Sequence, residues 1–168
     1  MAIRESILPE FDHEMATTRL LLERVPGDKA GWKPHPKSMS LGELSSHLAD
    51  IPHWVPWTLE ADSFDIAPPG AEPYRTPPFA SRDEVLRRFD ANVGKARASL
   101  SGTDDASFMV PWSLKHGGNV AFTLPRVAVV RTFLLNHMIH HRGQLTVYLR
   151  LQGVPLPSIY GPTADQAG

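Results

Sequence analysis

Apolar residues recur at positions 3, 7, 11, 15, 22 and 25, a helical period that predicts a first helix over residues 3–25. Pro9 falls in its opening turns and Pro26-Gly27 ends it. Residues 31–39 form a rigid connection, because Pro34 and Pro36 fix the backbone around His35. Ser40, with Glu43 three residues on, spells a capping box and opens a second helix. The face Leu44, His47/Leu48, Ile51, Trp54/Val55 is apolar except at His47, and Pro52 and Pro56 predict a kink or a split. Residues 62–80 hold Pro68, Pro69, Pro73, Pro77 and Pro78 and read as an ordered, non-helical loop.

Ser81 and Glu84 spell a second capping box, and the helix they open runs to about Leu100 with Val85, Phe89, Val93, Ala96 and Leu100 inward. Its outer face (Arg82, Arg87, Arg88, Lys95, Arg97) reads as solvated surface. Residues 108–114 and 119–124 flank Lys115-His116-Gly117-Gly118, which predicts a short β-hairpin or a pair of extended arms. Thr123 and Pro125 then mark the start of a last helix, which Gly153 and Pro155 stop after about Gln152. The fold class is therefore all-α: a four-helix bundle with long connections and a short hairpin before the last helix, in one domain over residues 1–168.

Composition changes this picture mainly by exclusion. Hydrophobic content of 42% and charged content of 21% are ordinary for a globular chain, and a formal net charge of -1 disfavours nucleic acid as the main partner. The chain has no cysteine, so disulfides, thiolate zinc sites and thiol nucleophiles of its own are absent together. The first ten residues interrupt their apolar positions with acids and lack a signal-peptide apolar block, and no segment approaches a membrane span. A cytoplasmic location is the expectation.

The candidate chemistry lies on the last helix. His137 and His141 share the stripe Val127, Val130, Leu134, His137, His141, Leu145, Tyr148, so two imidazoles aim at the core. A buried imidazole needs a partner for each nitrogen, and a divalent metal satisfies one nitrogen on each ring. Taken singly, each of the eight histidines reads as a core or edge residue bonded to backbone. His47, a third inward imidazole on another long helix, shifts the balance, because facing helices about 8–10 Å apart let such arms reach one ion. Three neutral imidazoles leave coordination positions open, and they suit Zn, Ni, Fe or Co.

A zincin places its general base directly after the first histidine; here that position is Met138, which excludes the zincin reading. His140 points away from His141 and reads as lying beside the site or at the surface. Gln144 is positioned to orient a ligand or substrate, and Gly143 to admit a close approach. Asp50 and Glu43 lie one turn either side of His47, each placed to hold its other ring nitrogen or to act as a base, though Glu43 reads more simply as the cap and Asp50 equally as a solvated helix position. Asp50 and Gln144 are thus the catalytic candidates. Trp54, Trp57 and Trp112 read as a pocket wall or, more simply, as packing, and Tyr160 as a cover over the site or an anchor for the C-terminus. His13 reads as surface.

The segment 41–50 around His47, the run His-Met-Ile-His-His-Arg-Gly-Gln at 137–144 and the tail 154–165 together resemble the DinB family, a damage-inducible four-helix family. The resemblance spans almost the whole chain. It implies a four-helix bundle, often a homodimer, whose divalent metal is held by His47, His137 and His141. It also implies chemistry of the kind found in characterised relatives: transferases and isomerases that use low-molecular-weight thiols such as bacillithiol or mycothiol, and metal-dependent hydrolases. Relatives often carry a glutamate where this chain has Met138, so no role for that acid carries over. The leading expectation is a metal-dependent S-transferase acting on a small molecule, since a metal lowers the pKa of a thiol or water bound at an open position. A hydrolase, a non-catalytic metal-stabilised bundle, and three satisfied core histidines with no metal are the alternatives.

Overall fold

The computed structural model describes residues 2–166. Ser40 closes both halves of its box: its hydroxyl accepts from Glu43 N–H at 3.1 Å, and the Glu43 carboxylate accepts from Ser40 N–H at 2.6 Å. Helix α2 (Leu41–Asp50) follows from that start, and α1 (Ile3–Leu22) precedes it. Pro52 lacks an N–H to continue the ladder, so the chain tightens into a 3₁₀ turn at Ile51–His53 before α3 (Trp54–Glu60). Helix α4 (Arg82–Gly102) begins with only half of the expected box. Ser81 accepts from Glu84 N–H, but the Glu84 carboxylate turns to Arg88 at 3.2 Å instead of returning to the cap. A one-turn helix α5 (Asp105–Met109), capped by Asp104, was not anticipated.

The molecule is mostly helical but not all-α. The expected hairpin is present as β2 (Pro111–His116) and β3 (Asn119–Pro125), turned by Gly117 and Gly118 at φ +62° and +80°. A third strand, β1 (Ser63–Asp65), adds to β2 in parallel, pairing Ser63 with Ser113, so a small sheet of order β1-β2-β3 replaces part of the expected loop. Asp65 joins the two pieces: its carboxylate accepts from the N–H groups of Ala67, Gly117 and Gly118. Those backbone bonds hold it below the usual aspartate value, against a desolvation effect of opposite sign.

The last helical run has three parts: α6 (Arg126–Val129), a wide π-helical stretch (Val130–Asn136) and α7 (His137–Leu151). Helix α7 packs on α1 and α2, and α4 packs on α1, α2 and α3. The core between them takes the inward residues expected of each period, among them Phe11, Leu44, Phe89 and Leu145. Among the described residues no helix is long and apolar enough to cross a membrane.

One charged cluster crosses this core. Arg142 and Glu14, both buried, pair at 2.5 Å, and the Tyr160 hydroxyl lies 2.8 Å from each Glu14 oxygen. Arg142 also donates to Thr17 and to the Tyr160 hydroxyl, each at 2.5 Å. Tyr160 is therefore an anchor for the tail rather than a cover over the histidines. Asp165 reinforces it, accepting from Arg150 and from Leu156 N–H, which together hold its carboxyl at about 2.

Candidate metal centre

The start of α7 at His137 sets the geometry. His137 and His141 stand one turn apart on that helix, and His47 meets them from the last turn of α2. The ring centroids are 4.9 Å apart for His47–His137, 4.5 Å for His47–His141 and 4.6 Å for His137–His141. One nitrogen from each ring lies within 4.8 Å of the others, and Nε2 of His47 is 3.1 Å from Nε2 of His137. All three rings are half-buried.

Burial decides their charge state. It pushes His47 down to about 4, with the neighbouring His141 and His137 adding to the effect. His137 is likewise lowered to about 4 by burial and then by His141, while a backbone hydrogen bond at Phe133 opposes the shift. His141 is lowered too, again chiefly by burial, against a hydrogen bond to Gln144 that raises it. At neutral pH the rings are uncharged. Nδ1 of His141 lies 2.8 Å from Gln144 Oε1, an acceptor only, so the proton sits on Nδ1 and the Nε2 lone pair is free.

This arrangement fits a divalent ion. Two imidazole nitrogens each about 2.0–2.1 Å from one ion lie about 2.8–3.4 Å apart at octahedral to tetrahedral angles, which brackets the observed Nε2–Nε2 separation of 3.1 Å. A single shared proton satisfies only one pair of rings and leaves the third lone pair facing them. Among the described residues no carboxylate joins the group.

The other candidates fall differently. Gln144 stands beside the cluster, joining His141 on one side and, at 3.2 Å, Nε2 of exposed His140 on the other. Asp50 is buried and accepts from Tyr74 OH at 2.5 Å and from Thr76 Oγ1 at 3.3 Å; its hydrogen bonds tie down the loop after β1 rather than an imidazole. Burial, and then the bond to Asp50, raise the Tyr74 phenol well above its ordinary value. Glu43 is the cap and also meets Lys33 at 3.4 Å.

Gly143 admits no close approach: it is exposed, with nothing within 4 Å of where a Cβ would lie. That role belongs to Gly42, where a Cβ would stand 3.0 Å from Phe79 and 3.1 Å from Ala30. Trp54 and Trp57 pack with Phe64 and Tyr74 in an aromatic cluster, and Trp112 is buried, its indole N–H donating to Trp57 O. None of the three lines the cavity of about 350 Å³ beside His47, whose aromatic wall is Phe79. A wider groove of about 670 Å³, between α3 and α4, touches none of the histidines. His13 is exposed, as its place off the apolar stripe implied.

The residues that sequence reasoning missed are Glu14, Arg142, Ser46 and the loop residues 76–79. Glu14 and Arg142 occupy inward positions of their helices, a readable sign. The loop's approach to α2 left no local sign.

A helical protein with three converging imidazoles from two helices is the class these features define. The DinB superfamily profile matches residues 10–145, well over half of the chain, and the chain belongs to that superfamily. Two solved structures share its fold. A DinB-like protein from Bacillus cereus ATCC 10987 is 21% identical, covering 95% of this chain and 98% of that one with a TM-score of 0.69. The DinB-like protein YjoA from Bacillus subtilis is 20% identical over 94% of this chain and 99% of its own, with a TM-score of 0.70. The uncharacterized protein YrdA of Bacillus subtilis strain 168 is 50% identical over 34 residues; the chain spans in that match only 20% of the relative's length.

Proposed function

We propose that this protein is a metal-dependent enzyme, most simply a thiol-dependent S-transferase, in which His47, His137 and His141 hold one divalent ion. The observation that carries the reading is the convergence of three neutral imidazole nitrogens within 4.8 Å, with the tautomer of His141 set by Gln144. A divalent ion there supplies Lewis acidity, making a thiol or water nucleophilic at neutral pH. The chain's own residues do the rest. Gln144 fixes the orientation of His141, and Asp50 fixes the loop that walls the cavity beside His47.

Thiol transfer is placed ahead of hydrolysis on the family resemblance, since a bound ion would activate a water as well as a thiol. Among the described residues no carboxylate joins the imidazole cluster, and Asp50 is committed to Tyr74 and Thr76. With no cysteine in the chain, that thiol is a separate small molecule.

In this reading α1, α2, α4 and α7 form the four-helix bundle of one domain over residues 1–168. The family resemblance adds a homodimer and a small-molecule substrate, with cytoplasmic location the simplest setting for a free thiol pool. The test is metal analysis of purified protein, followed by a screen for conjugation of small thiols to electrophiles. About one ion per chain, lost on chelation together with conjugating activity, supports the reading. Metal-free protein with an unchanged melting temperature after chelation refutes it.

A further inference from the structure

The strongest unexplained feature beside the cluster is a hydroxyl. Ser45 and Ser46 are neighbours on α2 and both are buried at 1% exposure or less. Ser45 donates back to Leu41 O at 2.7 Å, as helix serines commonly do. The Ser46 hydroxyl makes no hydrogen bond to any described protein group. A buried hydroxyl left so destabilises the fold, a cost a helix need not bear when the bond made by its neighbour is available. Ser46 lines the cavity of about 350 Å³ beside His47.

The opposite wall of that cavity is preformed. The loop carrying Thr76, Pro77, Pro78 and Phe79 is pinned at two points: Phe79 sits on Gly42, and Tyr74 and Thr76 hold Asp50. Two consecutive prolines fix the backbone between these pins. Met39, Pro77, Pro78 and Phe79 make the lining largely apolar. Among the described residues Glu43 is its sole charged side chain, already engaged by Ser40 N–H and Lys33, and no lysine or arginine lines the space. Among the side chains lining the cavity none carries a positive charge to compensate an anion. The volume is at the small end of ligand cavities.

We propose that this cavity binds a small, uncharged organic molecule, its apolar body against Phe79, Pro77 and Met39 and its one polar group hydrogen-bonded to the Ser46 hydroxyl, next to His47. This deepens the enzymatic reading and rests on it for the role of the bound molecule, which is the electrophilic co-substrate rather than an anionic thiol.

The test is a titration with benzamide, and with benzoate and benzylamine as charged molecules of the same size, followed by the NMR signals of the Met39 and Thr76 methyl groups. Benzamide is expected to shift both methyl groups saturably, with benzoate bound at least tenfold more weakly once a chelator has removed any ion from the imidazoles. Ser46→Ala, a small change in a buried helix, is expected to weaken benzamide about tenfold, the loss of one hydrogen bond. Met39→Trp, at a partly exposed position, is expected to block the shift at Thr76. Unmoved methyl groups, equal binding of benzoate to the chelated protein, or unchanged affinity in Ser46→Ala overturn the proposal. Metal content is measured in the same samples. Metal bound without a benzamide response sinks the cavity alone; a Ser46-dependent benzamide response in protein that takes up no metal supports the cavity and sinks only the metal-dependent reading.

Discussion

Adjacent residues of α7 serve two polar clusters with opposite logic. Arg142 meets a carboxylate: Glu14 neutralises it at 2.5 Å, and Tyr160 and Thr17 take up further donors and acceptors. His141, one residue earlier, meets two groups of its own kind, His47 and His137. The first cluster closes on itself, each charge answered by another part of the chain. The second is three acceptors facing one another, and protonation makes them repel instead. A buried polar group signals a ligand when its partners are like rather than complementary.

The largest effect expected on either side comes from opening the closed cluster. Arg142→Met leaves the Glu14 carboxylate buried without its partner and is expected to cost about 3–5 kcal/mol, read from the shift in denaturant midpoint at constant slope. A cost below about 1 kcal/mol, as for an exposed pair, erases the contrast. The open cluster is expected to behave in the reverse way. His137→Ala or His141→Ala loses metal uptake while the metal-free protein keeps its melting temperature, since alanine is the better helix former. His47→Ala is expected to lower metal affinity sharply by removing the donor from α2; stoichiometric metal in that variant removes His47 from the ligand set.

Gln144→Ala tests orientation alone. It removes the acceptor that holds Nδ1–H of His141, and losing such a partner costs about 10–100-fold in metal affinity. The smallest effect is on pH dependence. His47 and His137 lie at about 4 in the folded chain against 6.5 for a free imidazole, so between those values the unfolded chain binds protons that the folded one does not. Metal-free protein should therefore hold its full stability above about pH 6.5 and lose part of it as pH falls toward about 4. A His47→Ala/His137→Ala protein should show a flatter curve in thermal melts over that range.

How much of this was legible depends on the range of the contact concerned. The helix carrying His137 and His141, the cap at Ser40 and the Gly117-Gly118 turn are signalled within a few residues, and all three are found. The meeting of His47 with that pair was legible because both lie on apolar stripes that must face a common core. Strand β1 was not, because three residues in a proline-rich stretch show no alternation and pairing comes from a strand some fifty positions away. Gly143 and Gly42 look alike as letters; only the packing of Phe79 tells which one needs to lack a side chain. Glu14 and Arg142, 128 positions apart, were readable as charges on inward faces but not as each other's partner. The cavity under the proline-rich loop had no signature at all, being defined by where a loop lands.

The wide π-helical turns at Val130–Asn136 have an evolutionary corollary. Each α-helical residue advances the direction of the next side chain by about 100°, so a length change normally re-aims everything downstream. Slack held in a wide turn absorbs such a change: excising one residue there tightens the coil toward ordinary α geometry and leaves the imidazole pair pointed at α2. The same excision between His137 and His141 swings one ring by about 100° relative to the other, from one side of it to the opposite side. Insertions and deletions among descendants of this chain should therefore be tolerated just ahead of the histidines and purged within them.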